Sequence, residues 1–187
     1  MGHRHTTTAI LDSACDVVAD EGLAALTFRA VGRRAGIPDR TVVYYFPTKD
    51  ALLAAVIDRA AQALVDLVAA GDLDRSRSAD EVLSRVWGRL ATPEGDAAFR
   101  FCFEVVGGGV RGAEPFASRA SGLVGAWISW VAGQLDEPHP YDVAAGVVAT
   151  LDGLMLLRTT AGAEVAAAAA RGLGIKPLGA ARASSTG

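Results

Sequence analysis

The chain has 187 residues, 51% of them hydrophobic and 21% charged, and a formal net charge of −3. That length makes one compact domain or two small ones sharing a core, and the mildly acidic balance excludes a protein that coats nucleic acid without discrimination. All periodic signals are helical, and no stretch alternates between hairpin turns, so the fold is expected to be all-α.

In chain order, His3 to Thr8 read as a polar, partly basic arm in which Arg4 is a candidate phosphate contact. Ile10, Leu11, Ala14, Val17 and Val18 then recur at helical spacing, and Gly22 closes that helix. Residues 27 to 50, TFRAVGRRAGIPDRTVVYYFPTKD, read as two short helices joined by a tight turn and followed at once by a third. Thr27 can cap the free amides at the first start, and Gly36 can take the left-handed turn at its end. Val31, Ala35, Ile37, Val42 and Tyr45 fall where a helix-turn-helix buries its apolar side, and Gly32 is small enough for the second helix to approach. Arg33, Arg34, Asp39, Arg40, Val43 and Tyr44 are left facing outward. Such a face suits a duplex: Arg can bond guanine edges, Tyr can reach a phosphate, and Val can touch a thymine methyl. Arg29, Arg33, Arg34, Arg40 and Lys49 stand against only Asp39 and Asp50 in this stretch, a local basic patch on an acidic body. The candidate DNA-binding set is Thr27, Arg29, Arg33, Asp39, Arg40, Thr41, Val43, Tyr44 and Lys49.

Thr48 is expected to cap a long fourth helix running to about Ala70, with Leu52, Leu53, Val56, Ile57, Ala60, Leu64 and Leu67 or Val68 inward. Lys49 in its first turn opposes the helix dipole, a position that makes better sense with a phosphate against the same amides. Residues 71 to 79 form a polar connection. Helices are expected over about 80–91 and 95–106, the second ending in Gly107-Gly108-Gly109, read as an interhelical loop. Further helices are placed at 114–135, stopped by Asp136-Glu137-Pro138-His139-Pro140, then at 141–160 and 163–173, with a disordered tail from 175 to 187.

The segment from about 8 to 56 resembles the DNA-binding domain of the TetR family of bacterial transcriptional regulators. The residues that carry the resemblance are Gly22, a Thr-started second helix, Ala35-Gly36-Ile37, and Thr41-Val42-Val43-Tyr44-Tyr45-Phe46-Pro47-Thr48-Lys49-Asp50-Ala51-Leu52-Leu53. Three positions depart from the family pattern. Pro38 stands where a Ser or similar cap is usual, so Asp39 is expected to cap the recognition helix; Val43 stands where a backbone-contacting aromatic is common; Gly32 replaces the more usual Ala. The resemblance implies an N-terminal helix-turn-helix domain (1–50) joined by a long helix to a helical ligand-binding and dimerisation domain (51–174).

Helices 114–135 and 141–160 are rich in Gly and Ala, and the later one is apolar nearly all round. One core cannot satisfy every side, so a homodimer is expected, with Val143, Val147, Leu151, Leu154 and Met155 at the interface. A dimer would take a near-palindromic double-stranded operator. The family also implies a cavity for a small-molecule effector, and Trp87, Phe99, Phe103, Phe116, Trp127 and Trp130 are the candidate lining residues. Glu104, Asp152 and Arg158 stand as polar residues in apolar patterns, suited to orienting a ligand, to pairing across subunits, or to plain exposure.

Against catalysis, no His, Cys and Asp cluster, phosphate-cradling glycine loop or nucleophile with a nearby base is present. Neither a metal site nor a cofactor is expected: Cys15 and Cys102 lack ligand spacing and read as free thiols in a reducing cytoplasm. No apolar export segment begins the chain, and the run from Val143 to Leu157, interrupted by Asp152, is read as too short for a bilayer. A cytoplasmic regulator is therefore expected, against an alternative of a helical carrier or partner-binding protein whose reading head has degenerated.

Overall fold

The computed structural model describes residues 6–69 and 78–175. The expected phosphate contact of Arg4 and most of the arm around it, the greater part of the 71–79 connection, and the tail from 176 lie outside the described residues. The helices are α1 (Thr7–Glu21), α2 (Phe28–Ala35), α3 (Asp39–Tyr45), α4 (Lys49–Ala69), α5 (Ala79–Leu90), α6 (Pro93–Val110), α7 (Phe116–Ala132), α8 (Pro140–Ala161) and α9 (Ala163–Gly172), with one 3-10 turn at Leu23–Ala25. The all-α expectation holds for the described residues.

These residues gather into two compact units, one formed by the chain up to 64 together with 101–121, the other by 65–100 together with 122 onward. In the first unit α1 packs on α2 and α2 on α3. Ile10, Ala14, Leu26, Val31, Val42 and Leu52 are fully excluded from solvent there, and at ~1.5–3 kcal/mol for each large side chain their burial is the main force holding the helices together. Most starts are capped as the side chains allow: Thr6 accepts the Ala9 amide, and Thr48 accepts that of Ala51 at 3.0 Å.

Gly107, Gly108 and Gly109 are not a loop. They continue α6 to Val110, and the reason is a close approach. A Cβ on Gly108 would stand 2.6 Å from the Phe116 ring, and one on Gly109 would stand 2.6 Å from the Ala120 methyl. The helix penalty of glycine is offset by seating the first turn of α7.

In the second unit α8 packs on α5 and on α9. Ser78 and Glu81 open α5 with a reciprocal capping box. Arg158 meets Asp96 through two bonds, of 2.6 and 3.1 Å, so it is paired within its own chain. The end of α9 is closed by Gly174 at φ 75, with Gly174 donating to the Arg171 carbonyl and Ile175 to that of Ala170. Ile175, assigned by composition to the tail, is therefore buried.

The 22 residues of α8 correct the reading of the 143–157 run, since the helix is long and apolar enough to cross a membrane by length and composition. Its Ala144, Val147, Val148, Leu151, Leu154 and Met155 are nevertheless buried in the protein.

Candidate nucleic-acid interface

The geometry of the reading head is set by its two turns. Thr27 Oγ1 accepts the Ala30 amide at 3.1 Å and starts α2. Gly36 ends it at φ 68, its amide donating to Arg33 and that of Ile37 to Gly32 at 2.9 Å, a closure that needs the left-handed conformation glycine adopts freely. At Gly32 a Cβ would lie 2.8 Å from the Ile37 carbonyl oxygen and 3.2 Å from the Asp39 amide. Glycine there is what lets the chain turn so closely from α2 into α3.

The start of α3 differs from expectation. Asp39 is the first helical residue and not the cap; Pro38 holds the cap position without a side-chain bond. The Asp39 carboxylate instead accepts the neighbouring Arg40 amide at 2.8 Å, so one of the free first-turn amides still has a partner and the negative charge sits at the favourable helix end.

Val42 is fully buried and anchors α3, with Thr41 and Tyr45 half-buried beside it. Asp39, Arg40, Val43 and Tyr44 face outward, Tyr44 with 81% of its surface exposed. Tyr44 rests edge-on against Tyr45, ring centroids 5.2 Å apart, which fixes the direction of an otherwise free side chain. Arg29 and Arg33 are exposed one turn apart on α2, and Thr27 and Lys49 are exposed at two helix starts. Arg34 is exposed too but committed, its guanidinium 2.5 Å from the Asp20 carboxylate; that hydrogen bond raises its pKa further above the ordinary arginine value. Arg29, Arg33, Arg40 and Lys49 have no ion pair among the described residues. They are the cations left to neutralise phosphate or read a base edge.

A family model for bacterial regulatory proteins of the tetR family matches residues 10–56, the span of α1, α2, α3 and the first turns of α4. Residues 10–56 therefore form a DNA-binding domain of the TetR type. No curated protein matches the sequence. Among solved structures, a transcriptional regulator from Rhodococcus sp. Rha1 is 20% identical, with a TM-score of 0.70 over 88% of this chain and 91% of that one. The multidrug binding protein EbrR complexed with proflavin is 25% identical, with a TM-score of 0.63 over 89% and 98%. A TetR transcriptional regulator from Legionella pneumophila is 18% identical, with a TM-score of 0.64 over 94% and 100%. That domain, with these likenesses, supports a DNA-binding transcriptional regulator.

The six aromatic residues expected to line an effector cavity are divided between the two units. Trp87, Phe99 and Trp127 are buried in the second unit. Trp130, half-buried, stacks on Trp127 with centroids 5.3 Å apart and planes 9° from parallel, and the buried Trp127 Nε1 has no hydrogen-bond partner among the described residues. Phe103 and Phe116 belong to the first unit, where they line a cavity of about 520 Å3. Sequence reasoning missed the rest of that cavity, including Leu26, Gly107 and Arg111. Its one signal was Glu104, a carboxylate in an apolar run, which accepts the Leu23 amide at 3.3 Å.

The residues expected at a dimer interface lie on α8. Val147, Leu151, Leu154 and Met155 are at most 5% exposed within the single chain, and Val143 is half-buried, so this side of α8 faces its own core. The exposed side carries Asp142, Gly146, Ala149, Gly153, Leu156 and Thr160. Asp152, at its margin and half-buried, has its pKa raised to about 6 because burial disfavours the ionised carboxylate.

Proposed function

We propose that the protein is a homodimeric repressor that binds a near-palindromic duplex site and is released from it by a small, largely apolar effector. The observation that carries the reading is the outward face of α3: Arg40, Val43 and Tyr44 are exposed while Val42 anchors the helix beneath them. In this reading Arg40 and Val43 meet base edges, Thr41 and Tyr44 meet backbone, and Thr27, Arg29, Arg33 and Lys49 set the register through phosphates, with Asp39 trimming the choice of base.

The exposed stripe of small residues on α8, with Gly122, Ala126, Ser129 and Gly133 exposed along α7 and just beyond its end, supports close packing against a second copy. Two recognition helices then meet half-sites about 34 Å apart or more. EbrR's complex with proflavin supports an effector for this chain as well, and the unpartnered Trp127 indole beside Trp130 is one place that could hold it. An effector acts by binding one arrangement of the sensor helices better than the other, and it shifts the equilibrium only by that differential affinity.

The test is selection from random duplex DNA with the purified chain at near-physiological salt, followed by sequencing of the retained fraction. An enriched near-palindrome supports a dimeric sequence-specific regulator. A folded, dimeric protein that enriches nothing would return the balance to a carrier or partner-binding role.

A further inference from the structure

We infer that Glu104, on α6, is a positioning residue for DNA recognition: its carboxylate holds the turn between α1 and α2 and so sets how α2 and α3 are presented to a duplex. The positioning role rests on the DNA-reading face given to α3 above; the bond itself does not.

The turn is Leu23–Ala25, and the residues around it do little to hold it. None of its three residues is buried, and Gly22 before it has no side chain with which to cap it. The Leu23 amide takes no backbone partner among the described residues. It donates instead to Glu104 Oε2 at 3.3 Å, across 81 positions of sequence.

Close packing does not replace that bond. Leu23 and Ala24 line the cavity of about 520 Å3 together with Phe103, Glu104 and Gly107 of α6, so open space lies where interlocked side chains would otherwise fix the turn against that helix. A gap forfeits the dispersion contacts that hold a position. The hydrogen bond is the defined link that remains.

Glu104 itself stands on a fixed base. Just beyond it, Gly108 and Gly109 let α6 press on the first turn of α7, and Arg119 of α7 donates two hydrogen bonds to the Asp58 carboxylate of α4, at 2.7 and 2.9 Å. These residues and the reading head belong to one compact unit. On the far side of the turn, α2 and α3 approach so closely at Gly32 that they tilt together. Releasing the turn at Leu23 therefore displaces Arg29 and Arg33 of α2 and Arg40, Val43 and Tyr44 of α3 as a group.

The sign of the effect separates this role from plain electrostatics. A carboxylate near the reading head repels a duplex, and its removal alone would tighten binding to every sequence. Loss of a positioning bond weakens binding, most of all on the preferred site, where base contacts depend on placement.

The experiment compares Glu104→Gln with Glu104→Leu in the full chain. Both remove the charge at an exposed position and keep a good helix former, but only glutamine retains an oxygen that can accept the Leu23 amide. Amide exchange followed by NMR should leave Leu23 as protected in Glu104→Gln as in the parent, and about tenfold faster in Glu104→Leu, the scale of one hydrogen bond. Equal exchange in all three overturns the bond. Against a duplex selected as above, Glu104→Gln should bind at least as tightly as the parent and Glu104→Leu about fivefold or more weaker, with thermal unfolding and sedimentation unchanged. Equal affinity of the two variants, or Glu104→Leu binding more tightly than the parent, overturns the positioning role. If Glu104→Leu does not unfold cooperatively, Glu104→Ala takes its place. A parent chain that binds no duplex while Leu23 exchange behaves as described overturns the DNA reading, and the positioning role with it, and leaves the bond standing.

Discussion

Arg40 and Lys49 are both exposed cations without an ion pair among the described residues, yet their positions imply different losses. Arg40 lies on the outward face of α3, so Arg40→Ala is expected to cost about 1–3 kcal/mol on the preferred duplex and to relax one base position. Lys49 stands at a helix start, and Lys49→Ala should weaken all duplexes alike and lower the salt slope by about one; titrations against the preferred and a scrambled duplex at several salt concentrations separate the two. Asp152 makes a prediction of another kind. Its folded pKa, raised to about 6 from 3.8, means the folded state holds the proton more tightly than the unfolded one. Stability therefore falls as pH rises from about 4 to 6 and stays lowered above. Asp152→Asn should match the parent chain near pH 4 and exceed it at pH 7.5 by at most about 3 kcal/mol; urea midpoints with parallel pH dependence in both proteins would rule the explanation out. At this scale the outward residues of the reading head were legible because helical period alone sorts Val42 from Arg40, Val43 and Tyr44. The commitment of Arg34 was not, because its partner Asp20 sits on another helix and only the fold brings them together.

The glycines of α6 show where a single-sequence reading of an element stops. Three in a row look like a loop, because each costs a helix ~1 kcal/mol relative to alanine. Only the α7 contact reveals why two of them are tolerated within a helix. The three positions therefore differ in sign. Gly107→Ala should raise stability by about 0.5–1 kcal/mol, since its new methyl meets only the end of Arg111 and the helix gains propensity. Gly109→Ala places a methyl 2.6 Å from that of Ala120 and should lower stability by about 1–3 kcal/mol despite the same gain. Urea unfolding of both variants checks the contrast, and a shift in the same direction would mean that α7 does not press on this turn. Other boundaries were within reach: Ser78-Ala79-Asp80-Glu81 is a capping-box sequence, and Pro93 after Thr92 suits the first helical position. The cap of α3 was not, because both Pro38 and Asp39 are plausible at that position and the turn geometry decides between them.

For the whole molecule, the helical class and the DNA-reading role were legible because the motif from Thr27 to Leu53 is contiguous, whereas the partner surface depends on which side of α8 the chain keeps for itself. An apolar helix offers no polar stripe to mark its outward side, so the largest residues look like the natural interface, and the fold turns Leu151 and Met155 inward. Small residues make up the middle of the exposed side, with Leu156 beside them: a Cβ on Gly146 or on Gly153 would meet nothing within 4 Å, so intrachain packing does not demand glycine at either position. In the proposed dimer, close approach of a second helix would. Ala149 lies between them on the same exposed side. Ala149→Arg is therefore expected to leave helicity intact while an unpaired charge, costing several kcal/mol to bury, dissociates the dimer. Sedimentation should show a dimer for the parent chain and a monomer for the variant at micromolar concentration. The variant should lose affinity for the two-half-site duplex down to the level of a single half-site, because the gain from engaging both at once is gone. A parent chain that sediments as a monomer would refute the homodimer, whereas a variant that stays dimeric would place the interface elsewhere. Loss of duplex binding even to the half-site, with dimerisation unchanged, would instead mean that the substitution disturbed the reading head and that the exposed side of α8 is not what joins two copies.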